Sequence, residues 1–86
     1  MNTCVVRFPH HLDVRAERGP IRWELFLDWD IRDVLLTERA DTLRILFRGE
    51  PDTRTWSRLI TDAGYPPPSF GPVEALGTET DDPIAA

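Results

Sequence analysis

Three groups of side chains in this sequence have types and spacings that chemistry can use. His10, His11 and Asp13 bring three potential metal ligands within four residues. On a strand His11 and Asp13 share a face. A metal centre normally draws three or four convergent ligands with a supporting outer layer. Cys4 joins them only if the first strand folds back on this loop. The segment reads as a polar loop, and no metal or cofactor is expected.

The second group is Asp28, Asp30 and Asp33, with Glu24 nearby. On a strand Asp28 and Asp30 share a face, about 6.5 Å apart by the strand rise. That separation suits paired acid/base work or a hard cation. An enzyme using Asp28 and Asp30 with His10 or His11 is therefore one reading. It lacks a glycine-rich phosphate loop, a second acidic motif and any nucleophile–base spacing. Opposite-charge pairing with Arg22, Arg44 or Arg48 across strands accounts for the carboxylates without catalysis. The third group is Cys4, which lies in an apolar run. A reactive thiol needs an accessible, electropositive setting, so Cys4 is expected to be buried. No enzymatic activity is expected.

All ten cations are Arg; Lys and Gln are absent. Composition bias explains this more simply than function, although Arg makes two-pronged contacts that Lys cannot. Arg22, Arg44 and Arg48, interleaved with Phe26 and Leu46, are expected to line an open sheet face. Arg with aromatic residues on a sheet also suits single-stranded nucleic acid, but acidic neighbours interrupt this set. Apolar groups rimmed by Arg suit a protein partner better.

These residues need elements to position them. Residues 4–8 predict a strand, β-branched and aromatic, stopped by Pro9. Val6 and Phe8 point one way, Val5 and Arg7 the other, and residues 10–16 extend the strand weakly. Arg18-Gly19-Pro20 signals a turn. Residues 21–29 alternate strictly. Ile21, Trp23, Leu25, Leu27 and Trp29 fall on one face, with Arg22, Glu24, Phe26 and Asp28 on the other. This predicts a half-buried antiparallel strand that carries most of the core. Residues 30–39 favour a helix capped by Asp30, with Asp33 near the third position; strand and turn is the alternative. Residues 42–48 predict a strand with Leu43, Ile45 and Phe47 inward. Residues 52–63 predict a helix capped by Asp52 or Thr53, with Trp56, Leu59, Ile60 and Ala63 inward and Gly64 at its end. Pro66-Pro67-Pro68 predicts an extended arm that Phe70 can anchor. From Gly71 the composition is that of a disordered tail.

The strand at 43–47 and the helix ending Ile60-Thr61-Asp62-Ala63-Gly64-Tyr65 resemble the closing strand and helix of heavy-metal-associated ferredoxin-like domains. The resemblance covers about 25 of the 86 residues. The Cys-x-x-Cys metal loop of that family is missing here, so a metallochaperone role does not carry over.

The length fits one domain. A single Cys cannot make an internal disulfide, and no apolar run approaches a membrane span. The N-terminus has no basic region before its short apolar run, so no signal peptide is expected. A cytoplasmic location is the expectation. Of the net charge of −5, residues 72–86 carry −4, leaving −1 on the other 71 residues. A near-neutral body has little long-range attraction for phosphate. This argues against nucleic acid and leaves an accessory role there as an alternative.

The parts predict an α+β two-layer sandwich. A small antiparallel sheet of three or four strands has one face covered by a C-terminal helix. Residues 1–71 form the domain and 72–86 an acidic tail. The functional expectation is a non-enzymatic protein-binding module, an adaptor or an inhibitor of the immunity type. It would use the open sheet face or a free edge. Chains this short are marginal alone, so a protein partner or a homodimer is expected, and no membrane. The partner residues expected are Phe26, Leu46, Arg22, Arg44 and Arg48. This requires residues 21–29 to be a strand whose odd-numbered members are shielded from water.

Overall fold

A computed structural model describes residues 1–9 and 12–75. His10, His11 and the acidic residues from Glu79 onward lie outside them. The elements run β1 (Asn2–Arg7), α1 (Val14–Leu25), β2 (Ile31–Leu36), β3 (Thr42–Phe47), α2 (Thr53–Asp62) and β4 (Ser69–Ala75). The strands form one antiparallel sheet in the order β2-β3-β1-β4. Each helix connects two parallel strands with a third strand between them. This β-α-β-β-α-β arrangement is the ferredoxin-like split βαβ.

The α+β class and the antiparallel sheet agree with expectation, as do the first strand, the strand at 42–47 and the helix at 53–62. The helical layer differs. It is not a single C-terminal helix, because β4 follows α2 and α1 shares the packing. The core joins Val14, Ile21 and Leu25 of α1 and Trp56 and Ile60 of α2 to Cys4, Val6, Val34, Leu43, Ile45 and Phe47 of the sheet.

The stretch 21–29 is not a strand. Residues up to Leu25 belong to α1, and Phe26–Asp28 continue as a helical turn, with Phe26, Leu27 and Asp28 donating to Arg22, Glu24 and Leu25 carbonyls. The alternation misled for a geometric reason. On a helix each residue turns about 100°, so residues two apart face opposite sides and residues four apart share one. Ile21 and Leu25 make one stripe, and Trp23 and Leu27 make another. The sheet buries the first completely and leaves the second 73% and 65% exposed. Asp13 caps α1 by accepting the Ala16 N–H at 3.3 Å, with Glu17 in the first turn, where the helix dipole favours it. Gly19-Pro20, which signals a turn, lies inside α1 on its exposed side. The carbonyl orphaned by Pro20 is that of exposed Ala16, which water can reach.

Residues 31–36 are strand β2, not helix: tertiary pairing with β3 selects the alternative. The chain also stays in the sheet to Ala75, four residues past the expected boundary at 71. Pro72 and Gly71 disfavour a strand locally, and pairing with β1 imposes one. The register shifts between Cys4 and Val6 absorb the irregularity. Phe70 anchors the arm, 6.2 Å from Trp56. At Gly71 a Cβ would run into the Val5 side chain. Val5 is β-branched and stiff, so Gly71→Ala is expected to cost about 1–3 kcal/mol. Urea denaturation checks this, and an unchanged midpoint would contradict the close approach.

Candidate functional site

The expected partner residues do not form one surface. Arg44 and Leu46 alternate with inward-facing Leu43, Ile45 and Phe47, so they lie on the open face of the sheet. There Arg44 Nη1 donates to Thr3 Oγ1 at 3.3 Å and pairs with Glu74 at 3.5 Å. Phe26 caps α1 on the helical side, half-buried against the core. The Arg22 guanidinium lies 4.6 Å from its ring centre. Arg48 is exposed beyond the end of β3. The sheet therefore separates Phe26 and Arg22 from Leu46 and Arg44. An Arg platform for nucleic acid is divided in the same way.

Arg22 belongs to a different construction. Arg15, Arg18 and Arg22 stand at i, i+3 and i+7 on one side of α1. Arg15 Nη2 donates to the Thr37 carbonyl at 3.1 Å, Arg18 Nε to the Val34 carbonyl at 2.9 Å, and Arg22 Nε to Asp33 Oδ1 at 2.7 Å. The three guanidiniums cover the outer edge of β2, which would otherwise invite another strand. The hydrogen bond from Arg22 holds the Asp33 carboxyl below its usual range. A lowered native pKa adds stability above the ordinary Asp value, and this is lost as pH falls through the lowered one. Wild type is therefore expected to exceed Asp33→Asn in urea midpoint at pH 6, with the gap closing as pH falls below about 4. A gap independent of pH would contradict the pairing.

The acidic pair is also structural in part. Asp28 Oδ1 accepts the Asp30 N–H at 2.9 Å, and Oδ2 accepts the Trp56 indole N–H at 2.7 Å. Asp28 thus ties the turn after α1 to α2. Each of its oxygens accepts one hydrogen bond. Among the described residues no three His, Cys, Asp or Glu side chains are placed to hold a metal. Cys4 is buried, as expected, and burial raises its thiol pKa. It donates to the Gly71 carbonyl at 3.4 Å. Tyr65 donates to Glu17 at 2.7 Å, joining the end of α2 to α1, and its pKa is pushed up to about 12 by burial and that carboxylate. A cleft of about 240 Å³ is lined by Arg7, Phe8, Pro9, Asp41, Pro67 and Ser69, with Arg7 and Asp41 paired at 3.1 Å. Among the described residues no helix is long and apolar enough to cross a membrane.

The residues that stand out instead are Trp23, Leu27 and Trp29, at 73%, 65% and 91% exposure. Trp29 sits on a turn that is firmly held. Besides the two Asp28 bonds, Ile31 N–H donates to the Asp28 carbonyl at 3.1 Å and Arg48 N–H to the Asp30 carbonyl at 2.9 Å. No family model, curated protein or solved structure matches the chain at a significant level. Its chemistry is therefore read from this surface. The alternation of 21–29 concealed it by assigning all five apolar side chains to the core. The signal that finds it is the Asp13 cap with Glu17, which starts a helix and splits the apolar residues into two stripes.

Proposed function

We propose that this chain is a non-enzymatic protein-binding module, of adaptor or inhibitor type, that contacts its partner through Trp23, Leu27 and Trp29. One observation carries the reading: two Trp side chains lie in water on a backbone held by hydrogen bonds. Exposing a Trp forgoes roughly 1.5–3 kcal/mol or more of burial, and single exposed apolar groups are common. Here three large ones fall within seven residues. Trp is the residue type most enriched among binding hot spots, and a preordered backbone lowers the entropic cost of association. The open sheet face offers less: Leu46 is half-buried, and Arg44 is paired with Glu74.

The test compares affinity capture from an extract of the source organism by three proteins: wild type, Trp23→Glu/Trp29→Glu and Leu46→Glu. Calorimetry with the purified partner follows. The expected result is one partner bound stoichiometrically by wild type and by Leu46→Glu. The double Trp variant should bind it at least tenfold more weakly, a loss above about 1.4 kcal/mol, with its circular dichroism unchanged. Loss in Leu46→Glu alone would return the contact to the sheet face, and equal binding by all three would reject both surfaces.

A further inference from the structure

We infer that Arg18, Arg22 and Asp33 form a latch over the outer edge of β2, and that this edge, once unlatched, takes the β2 strand of a second copy of the chain. The inference is independent of the indole surface. Alternate residues of an antiparallel edge strand turn N–H and C=O away from the neighbouring strand, where another strand can pair with them. In β2 Val34 is such a residue. Its N–H donates to Asp33 Oδ1 at 2.8 Å and its carbonyl accepts from Arg18 Nε at 2.9 Å. Arg22 Nε donates to the same Asp33 oxygen at 2.7 Å, and Arg18 Nη2 lies 3.9 Å from it. One carboxylate oxygen thus ties two guanidiniums of α1 to the backbone of β2. All three side chains are partly shielded from water, where an ion pair is worth more than on the open surface.

The opposite edge is blunted in another way. β4 carries Pro72, which has no N–H to offer, and its register against β1 shifts between Cys4 and Val6. Those devices are fixed in the backbone, whereas the one on β2 consists of side chains and can be released. What it covers is complementary to itself. Leu35 and Leu36 are already 36% and 46% exposed. A two-fold axis at Val34 sets Asp33 opposite the second copy's Leu35 and Arg32 opposite the second copy's Leu36, so like charges do not face each other. The two Val34 residues then exchange N–H and C=O bonds in place of those to Asp33 and Arg18.

The experiment follows three full-length proteins by sedimentation velocity and amide hydrogen exchange over a concentration series. They are wild type, the latch variant Arg18→Ala/Asp33→Ala, and Arg7→Ala/Asp41→Ala. The last makes the same change of charge at an ion pair away from this edge. In dilute solution the Val34 amide of the latch variant should exchange about two- to tenfold faster than in wild type. As concentration rises, the latch variant should form a dimer and its Val34 amide should become protected again, while the other two proteins show no concentration-dependent protection there. Arg18→Met keeps the apolar stem and removes only the cap on the Val34 carbonyl. It decides the question by the same two readouts if the double variant loses its helical circular dichroism. A latch variant that sediments and exchanges as wild type does overturns the inference. So does equal self-association of Arg7→Ala/Asp41→Ala, which assigns it to a loosened fold, or concentration-dependent protection of Val34 in wild type, which shows an edge already open. Self-association of the latch variant that disappears on adding Trp29→Ala assigns it to the indole surface and overturns the inference too.

Discussion

Replacing Trp56 with Ala is expected to remove about 4–8 kcal/mol of stability, a large part of the whole. Trp56 is fully buried, meets Phe47 edge to face at 5.0 Å and lies 6.2 Å from Phe70. It thus joins α2 to β3 and β4, and its indole N–H joins α2 to Asp28. Truncating a buried Trp to Ala costs about 3–5 kcal/mol. The partly buried Asp28 oxygen then loses its donor, which adds about 1–3 kcal/mol. A chain of 86 residues has only about 4–13 kcal/mol to lose. Trp56→Phe separates the two effects. It keeps most of the packing and removes the donor, so a loss of about 1–3 kcal/mol is expected. Far-ultraviolet circular dichroism across a urea series measures both variants. A Trp56→Ala protein that unfolds at the wild-type midpoint would contradict the placement of α2.

The second large effect is a contrast between neighbours. Ile21→Ala is expected to cost about 2–5 kcal/mol, because Ile21 is fully buried among α1, α2 and the sheet. Trp23→Ala is expected to change stability by less than about 0.5 kcal/mol, as surface substitutions do. On a strand the two side chains share a face and both changes would be severe. On a helix they point in nearly opposite directions and only one is severe. Two urea midpoints therefore decide between strand and helix at 21–29. They also show whether Trp23 can be spent on binding without cost to the fold.

Trp56 and Trp23 also mark where sequence alone suffices and where it does not. The helix around Trp56 was readable because its signals agree: Asp52 accepts the Thr55 N–H as a cap, Trp56 and Ile60 are inward, and Gly64 takes a positive φ of 98° at the end. The strand at 42–47 was readable for the same reason, since alternation and burial coincide in Leu43, Ile45 and Phe47. Around Trp23 the signals conflict. Alternation favours a strand, Gly19-Pro20 a break and Asp13 a helix. At β4, Pro72 and Gly71 oppose the structure that forms. The candidate site lay in the conflicted region, so its residues were misplaced.

Local chemistry settled the α+β class, a buried Cys4, two strands and the second helix, because their stabilising contacts are written into neighbouring residues. Tertiary structure decided which apolar stripe of 14–29 was buried, that β2 and β4 would be strands, and that Arg22 would pair with Asp33 of β2 and not lie on the open sheet face. A sheet has one apolar face to offer each helix. It takes Ile21 and Leu25 and turns Trp23 and Leu27 to the water, and no spacing within the segment says which pair will be taken.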